Sequence, residues 1–190
     1  MNGHKSVTAV LTAVLAALYA VGVIVLAPIS FQVFQVRVAD ALLPLAILFG
    51  WPGILGLSLG AFVANMFGGL GVVDIVGGSV ANLVAGYVAW KVAADGGRRR
   101  VLVAIGLQIL TVTAIVGTYL SYILALPLGI TWFGVLLGSI VAVGFLGSLL
   151  LRALSAERIV TLLRRHGVPV YAFYGAGSPQ MRRENHRPPN

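Results

Sequence analysis

The sequence predicts an all-α membrane protein, a bundle of six transmembrane helices, and three observations carry that prediction. Of 190 residues, 59% are hydrophobic and 9% charged, against about 45–50% apolar and about 25% charged residues in soluble domains; the mean hydropathy is +0.99. The apolar residues come in blocks of about 20 or more, the length that crosses a hydrocarbon core roughly 30 Å thick. The charges lie between the blocks: of the 13 Lys and Arg, all but Arg37 fall at Lys5, between Lys91 and Arg100, or from Arg152 onward. That clustering follows the positive-inside rule, so the formal net charge of +8 reports topology and not affinity for nucleic acid. With no cysteine, disulfides and thiolate metal sites are excluded. The length suits one helical domain without a separate catalytic domain.

The first apolar run, about Val7 to Ala27, ends at Pro28. It is longer than the core of a signal peptide, which is about 7–15 residues, so it reads as a true span. The block from about Val38 to Phe67 is too long for one crossing and is broken at Gly50-Trp51-Pro52-Gly53. Proline and glycine stop a helix there, which predicts two shortish helices, about 38–50 and 53–67, joined by a tight turn. Gly68-Gly69-Leu70-Gly71 ends the second of them. A fourth helix is expected from Val72 to Val92, followed by the basic loop Asp95 to Arg100. A fifth runs from about Val101 to Leu124, and Pro127-Leu128-Gly129 turns the chain. A sixth covers about Thr131 to Leu151 and continues into a basic amphipathic stretch around Arg152 to Arg165. From Gly175 the chain is polar and rich in Pro and Arg, the composition of disorder. Six crossings put Lys5, the 91–100 loop and the C-terminal tail on one side, the cytoplasm. A five-span alternative, with 38–67 crossing once, is disfavoured by the length of that block and its Pro-Gly break. The expected location is the cell membrane, multi-pass, with both termini cytoplasmic.

Small residues recur every four positions: Gly56, Gly60 and Ala64; Ala81, Ala85 and Ala89; Gly134, Gly138 and Ala142. Such rows let helix backbones approach closely, and packing is the main cohesion available inside lipid. Ala9, Ala13 and Ala17 form a similar strip on the first helix, which could serve another helix of this chain or a partner subunit.

Asp40 and Asp74 each stand in the first turn of a helix expected to enter from the external face, where a carboxylate is costly unless it has a role. One reading has each carboxylate complement its helix N-terminus, with Arg37 pairing to Asp40. The other gathers Arg37, Asp40, Asn65 and Asp74 near the external ends of their helices, with Asn82 about 12 Å deeper on the face of Asp74. Gly78 and Ala81 leave room between them. Tyr119, Tyr122 and Trp132 lie at the same level and belong either to the interfacial aromatic belt or to a ring-stacking wall. An outward-facing cavity of this kind suits a flat, donor-rich, neutral or cationic solute, because a carboxylate accepts two N–H bonds at once. Enzymatic signals are weak: His4, His166 and His186 are all in terminal segments, no nucleophile-elbow, zinc-protease or phosphate-loop motif occurs, and an intramembrane aspartyl hydrolase would want its two carboxylates deeper. Neither catalysis nor a cofactor is expected.

The stretch Val36-Arg37-Val38-Ala39-Asp40-Ala41-Leu42 through Pro44, then Gly53 to Gly60, Ala64-Asn65 and Asp74-Ile75-Val76-Gly77-Gly78-Ser79, in that order, resembles the QueT family, the substrate-binding (S) components of energy-coupling factor (ECF) transporters. The resemblance covers about residues 5–150 and is most specific over 36–83. It implies six helices, a queuosine precursor of the 7-deazaguanine type as ligand, and partnership with a transmembrane coupling (T) subunit and two cytoplasmic ATPase subunits. It also implies that Ala9, Ala13 and Ala17 dock on the coupling subunit, and that Arg37, Asp40, Asn65 and Asp74 occupy the family's polar positions. Asp40 stands where the family pattern has glutamate. Gly77 stands where a bulky apolar residue is usual, which predicts a larger pocket. The expected organisation is a six-helix transmembrane substrate-binding domain over 1–151, a basic amphipathic cytoplasmic segment over 152–174 and a disordered tail over 175–190. Two alternatives stay open: an S component for another vitamin, and a membrane scaffold whose polar residues only staple helices together.

Overall fold

The computed structural model describes residues 2–27, 37–94 and 97–171. The expected helix stop at Pro28, the start of the basic loop at Asp95 and Gly96, and the tail from Gly175 lie outside the described residues. The elements in chain order are α1 (Asn2–Val25), a 3-10 turn (Val38–Leu42), α2 (Leu45–Phe49), α3 (Trp51–Met66), α4 (Val72–Val92), α5 (Arg98–Leu124), α6 (Leu128–Leu154) and α7 (Glu157–Arg165). The middle of α6, Ile140–Gly147, is wound as a π-helix.

Among the described residues, four helices are long and apolar enough to cross a membrane: Lys5–Val25 within α1, then α4, α5 and α6. The other two expected spans are shorter, Val38–Phe49 and Trp51–Met66. At about 1.5 Å per residue, the 16 residues of α3 rise about 24 Å, less than the roughly 30 Å of a hydrocarbon core. The sequence explains both shortfalls. Pro44 precedes α2 and separates it from the tighter 3-10 turn. Gly50 then breaks the chain with φ 61° and ψ −134°, a conformation that only glycine adopts without strain. Pro52 does not delay α3, because the first turn of a helix tolerates proline; the helix starts at Trp51, two residues before the expected Gly53.

Close contacts fix the directions. Added Cβ atoms on Gly56 and Gly60 would meet Thr12 and Leu15, and Ala16 and Tyr19, respectively, so α1 and α3 run parallel. Ser58 and Ser79 exchange hydrogen bonds with each other's carbonyls at 2.7 and 3.0 Å, which staples α3 antiparallel to α4. Gly77 faces Tyr119, and Gly117 faces Trp132, so α5 and α6 continue the antiparallel order. Residues 50, 91, 98 and 154 therefore share one end, called here the basic end, and residues 25, 66, 72, 124 and 128 share the opposite end. The rows Gly56–Gly60–Ala64, Ala81–Ala85–Ala89 and Gly134–Gly138–Ala142 are all buried, which assigns them to internal packing.

Candidate functional site

The 3-10 turn lies inside the bundle, packed against α1 and the π-helical part of α6. The Pro44 ring rests on Gly147 at a distance that excludes any side chain there. Gln108, fully buried on α5, donates from Nε2 to the Leu43 carbonyl at 3.0 Å. A backbone carbonyl freed at a helix break inside a membrane must find such a donor. These contacts set the position of Arg37 and Asp40, both 6% exposed.

Arg37 and Asp40 do not mark an outer helix end, contrary to expectation. They line a small cavity together with Asn82, Val112, Val116, Val135, Gly138 and Ser139. Asn82 lies ten residues into α4, about 15 Å from its start, so this part of the site is deep in the bundle. The cause is the shortness of the 38–49 segment, which begins within the protein. The cavity holds about 10 Å³, room for a single water, where the sequence predicted an open pocket.

Two tyrosine–aspartate pairs frame the arginine. Tyr19, fully buried on α1, donates to Asp40 Oδ1 at 2.5 Å. Tyr119 donates to Asp74 Oδ1 at 2.9 Å, and Asp74 is fully buried. Arg37 stands within Coulombic reach of Tyr19, Tyr119, Asp40 and Asp74. Asn65 donates from Nδ2 to the Asp74 carbonyl at 2.8 Å, and Asn82 from Nδ2 to the Leu57 carbonyl at 3.2 Å. Both amides thus use a donor on the backbone. Asn65 Oδ1 and Asp74 Oδ2 are buried and accept no hydrogen bond from the described residues.

The absence of side chains at Gly77 and Gly78 has a different use from the one expected. A Cβ on Gly77 would lie 2.8 Å from the Tyr119 ring, so this glycine admits Tyr119 to Asp74 and does not enlarge a pocket. The Asn65 amide occupies the space beside Gly78. Tyr122 is 83% exposed and points away from the cluster. Trp132 donates to Thr118 Oγ1 at 3.1 Å and rests on Gly117 at the outer surface, as an interfacial aromatic does. Of the three aromatics singled out in the sequence, only Tyr119 joins the site. A search for acidic residues passes over Tyr19 and Gln108; their signal in the sequence is a phenol and an amide in the middle of apolar helices, groups that need buried partners.

Ala9, Ala13 and Ala17 are exposed, on a different face from Thr12, Leu15, Ala16 and Tyr19, which receive α3. No helix among the described residues covers the strip. Only 22% of the α1 span is buried, against 39–44% for α4, α5 and α6, which makes α1 the peripheral helix of the four.

The sequence pattern of the QueT transporter family matches residues 9–156, well over half of the chain and including every residue of the cluster. No curated protein and no solved structure matches the chain. The family and the four long apolar helices make this a multi-pass membrane protein of transport. The chain belongs to the QueT transporter family.

Proposed function

We propose that this protein is the substrate-capture S component of an ECF-type uptake transporter, and that it takes up a 7-deazaguanine-type queuosine precursor from the external face. The observation that carries the reading is the pair of buried acceptors with no donor among the described residues, Asp74 Oδ2 and Asn65 Oδ1, with Asp74 in Coulombic reach of Arg37, which lines the small cavity with Asp40 and Asn82. A buried acceptor left unmatched costs about 1–3 kcal/mol, and a flat ring with adjacent N–H groups supplies the missing donors. Asp74 and Asp40 bind the ring's N–H edge or an exocyclic amine, Asn65 and Asn82 fix its orientation, and Arg37 balances the carboxylates. The cavity of about 10 Å³ is far smaller than such a ring, so binding widens the site between the 3-10 turn, α5 and α6.

In the membrane, the four long helices and the two shorter segments make six crossings, with the basic end and both termini cytoplasmic. The site then opens toward the external leaflet by way of Asp74, in the first turn of α4. The exposed Ala9–Ala13–Ala17 strip receives the coupling subunit, whose two ATPase partners supply the energy for release inside.

The test is purification in detergent, mass spectrometry of any co-purified small molecule, and calorimetric titration with 7-deazaguanines. Saturable binding of a deazapurine is the expected result. Binding of a different vitamin would correct the substrate, and no response to a broad ligand panel would overturn the capture role in favour of a scaffold.

A further inference from the structure

The segment after residue 156 lies outside the part matched by the family, yet it is folded onto the bundle. α7 starts directly after α6, with Ser155 and Ala156 between them. Val160 is buried, and Leu163, Val168 and Val170 pack on the core. Gly167, at φ 75°, turns the chain back: its N–H donates to the Arg164 carbonyl and that of Val168 to the Leu163 carbonyl, both at 3.0 Å. The Tyr171 N–H then donates to the Leu48 carbonyl at 2.8 Å. The Tyr171 ring meets the Trp90 ring edge-on, with centroids 5.7 Å apart.

That last contact fixes the depth of the segment. Trp90 forms a cluster with Trp51 and Tyr87, with centroids 5.8 to 6.5 Å apart. Tryptophan and tyrosine gather at the level of lipid headgroups, so the cluster marks a membrane boundary and Tyr171 ties 157–171 to it. On α7, Arg158, Leu162 and Arg165 follow one another at helical spacings of four and three, on one face, and all three are exposed. Leu162 is 55% exposed and stands between Arg158 and Arg165 along that face. Lys91, Arg99 and Arg152 are also exposed at this end, and Glu157 is the one acidic residue there among the described residues.

We propose that the outer face of α7, through Arg158, Leu162 and Arg165, binds the headgroups of anionic phospholipids at the basic end of the bundle. The guanidinium groups pair with lipid phosphates in the bidentate geometry open to arginine, and Leu162 enters the upper acyl region. An amphipathic helix with a basic polar face binds anionic membranes in this way. The exposed leucine at headgroup depth favours lipid over an acidic protein surface. Membrane contact at α7 also holds Tyr171 against Leu48 and Trp90, and thereby braces the break at Gly50.

Because the chain has no cysteine, Thr161→Cys, an exposed position beside Leu162, carries a single polarity-sensitive fluorophore on the full-length protein. In nanodiscs of phosphatidylcholine mixed with phosphatidylglycerol, the label is expected to shift to the blue relative to phosphatidylcholine alone. Brominated phosphatidylglycerol should quench it several-fold more than brominated phosphatidylcholine, and high salt should reverse the difference. Adding Arg158→Gln and Arg165→Gln should abolish the lipid preference while thermal melting shows the bundle intact. A label equally exposed to water in both membranes overturns the proposal and leaves the face to a protein partner. An undiminished preference in the double glutamine variant overturns it as well.

Discussion

Tyr119 and Asp74 meet across a gap that Gly77 leaves open: the phenol donates to Asp74 Oδ1 at 2.9 Å, and its ring lies where a Gly77 side chain would be. The two halves of this relationship can be separated. Tyr119→Phe keeps the ring over Gly77 and removes the donor, leaving a buried carboxylate oxygen unmatched at a cost of about 1–3 kcal/mol. Thermal melting in detergent should show that loss. Gly77→Leu displaces the ring itself and should lower both the melting temperature and the affinity for 7-deazaguanine. Wild-type melting in Tyr119→Phe would mean that the hydrogen bond contributes nothing net.

Asp74→Asn tests the ligand role directly. The substitution keeps size and one acceptor but removes the charge, and hydrogen bonds to charged groups contribute about 1.5–3 kcal/mol. Titration with 7-deazaguanine should therefore show affinity lower by about tenfold to over a hundredfold, with the fold retained. A scaffold role gives the opposite pattern, with reduced stability and no ligand response to lose.

How much of this was legible in the sequence depends on the range of the interaction. Helices α4, α5 and α6 follow from hydrophobic blocks that are local in sequence, and the span expected at about 72–92 coincides with α4. The small-residue rows were legible as packing for the same reason. The depth of Arg37 and Asp40 was not, because it depends on where the 3-10 turn lies against α1, about 20 residues away, and against α6, about a hundred residues away. The purpose of Gly77 was hidden similarly: a missing side chain reads as space until its occupant, Tyr119 on another helix, is located. Tyr19 was overlooked because a tyrosine in an apolar helix reads as bulk, and its hydroxyl acquires meaning only from Asp40, 21 residues on.

Gly50→Ala should be costly although the position carries no chemistry. The backbone there has φ 61°, and an added Cβ would lie 2.8 Å from the Tyr171 ring. The strain alone is about 1 kcal/mol or more, and release of Tyr171 exposes the Leu48 carbonyl it caps. Lower thermal stability and faster proteolysis between residues 157 and 171 are expected together. If the melt falls and the segment stays protected, the strain and not the Tyr171 contact is responsible.

Ala13→Trp separates capture from delivery. Ala13 is exposed on the face of α1 that no described helix covers, away from Tyr19, whose hydroxyl serves Asp40 on the inner face. A bulky ring there meets lipid in the isolated protein and should leave the melting temperature and the affinity for 7-deazaguanine unchanged. Against a coupling subunit it prevents the close backbone approach that alanine allows, so uptake into cells expressing the whole transporter should fall to background. Alanine strips also occur on helices that face only lipid, and in that case the variant transports normally. Loss of uptake with binding intact can come only from a partner seated on this strip, whereas loss of both would place Ala13 in the fold of the site itself.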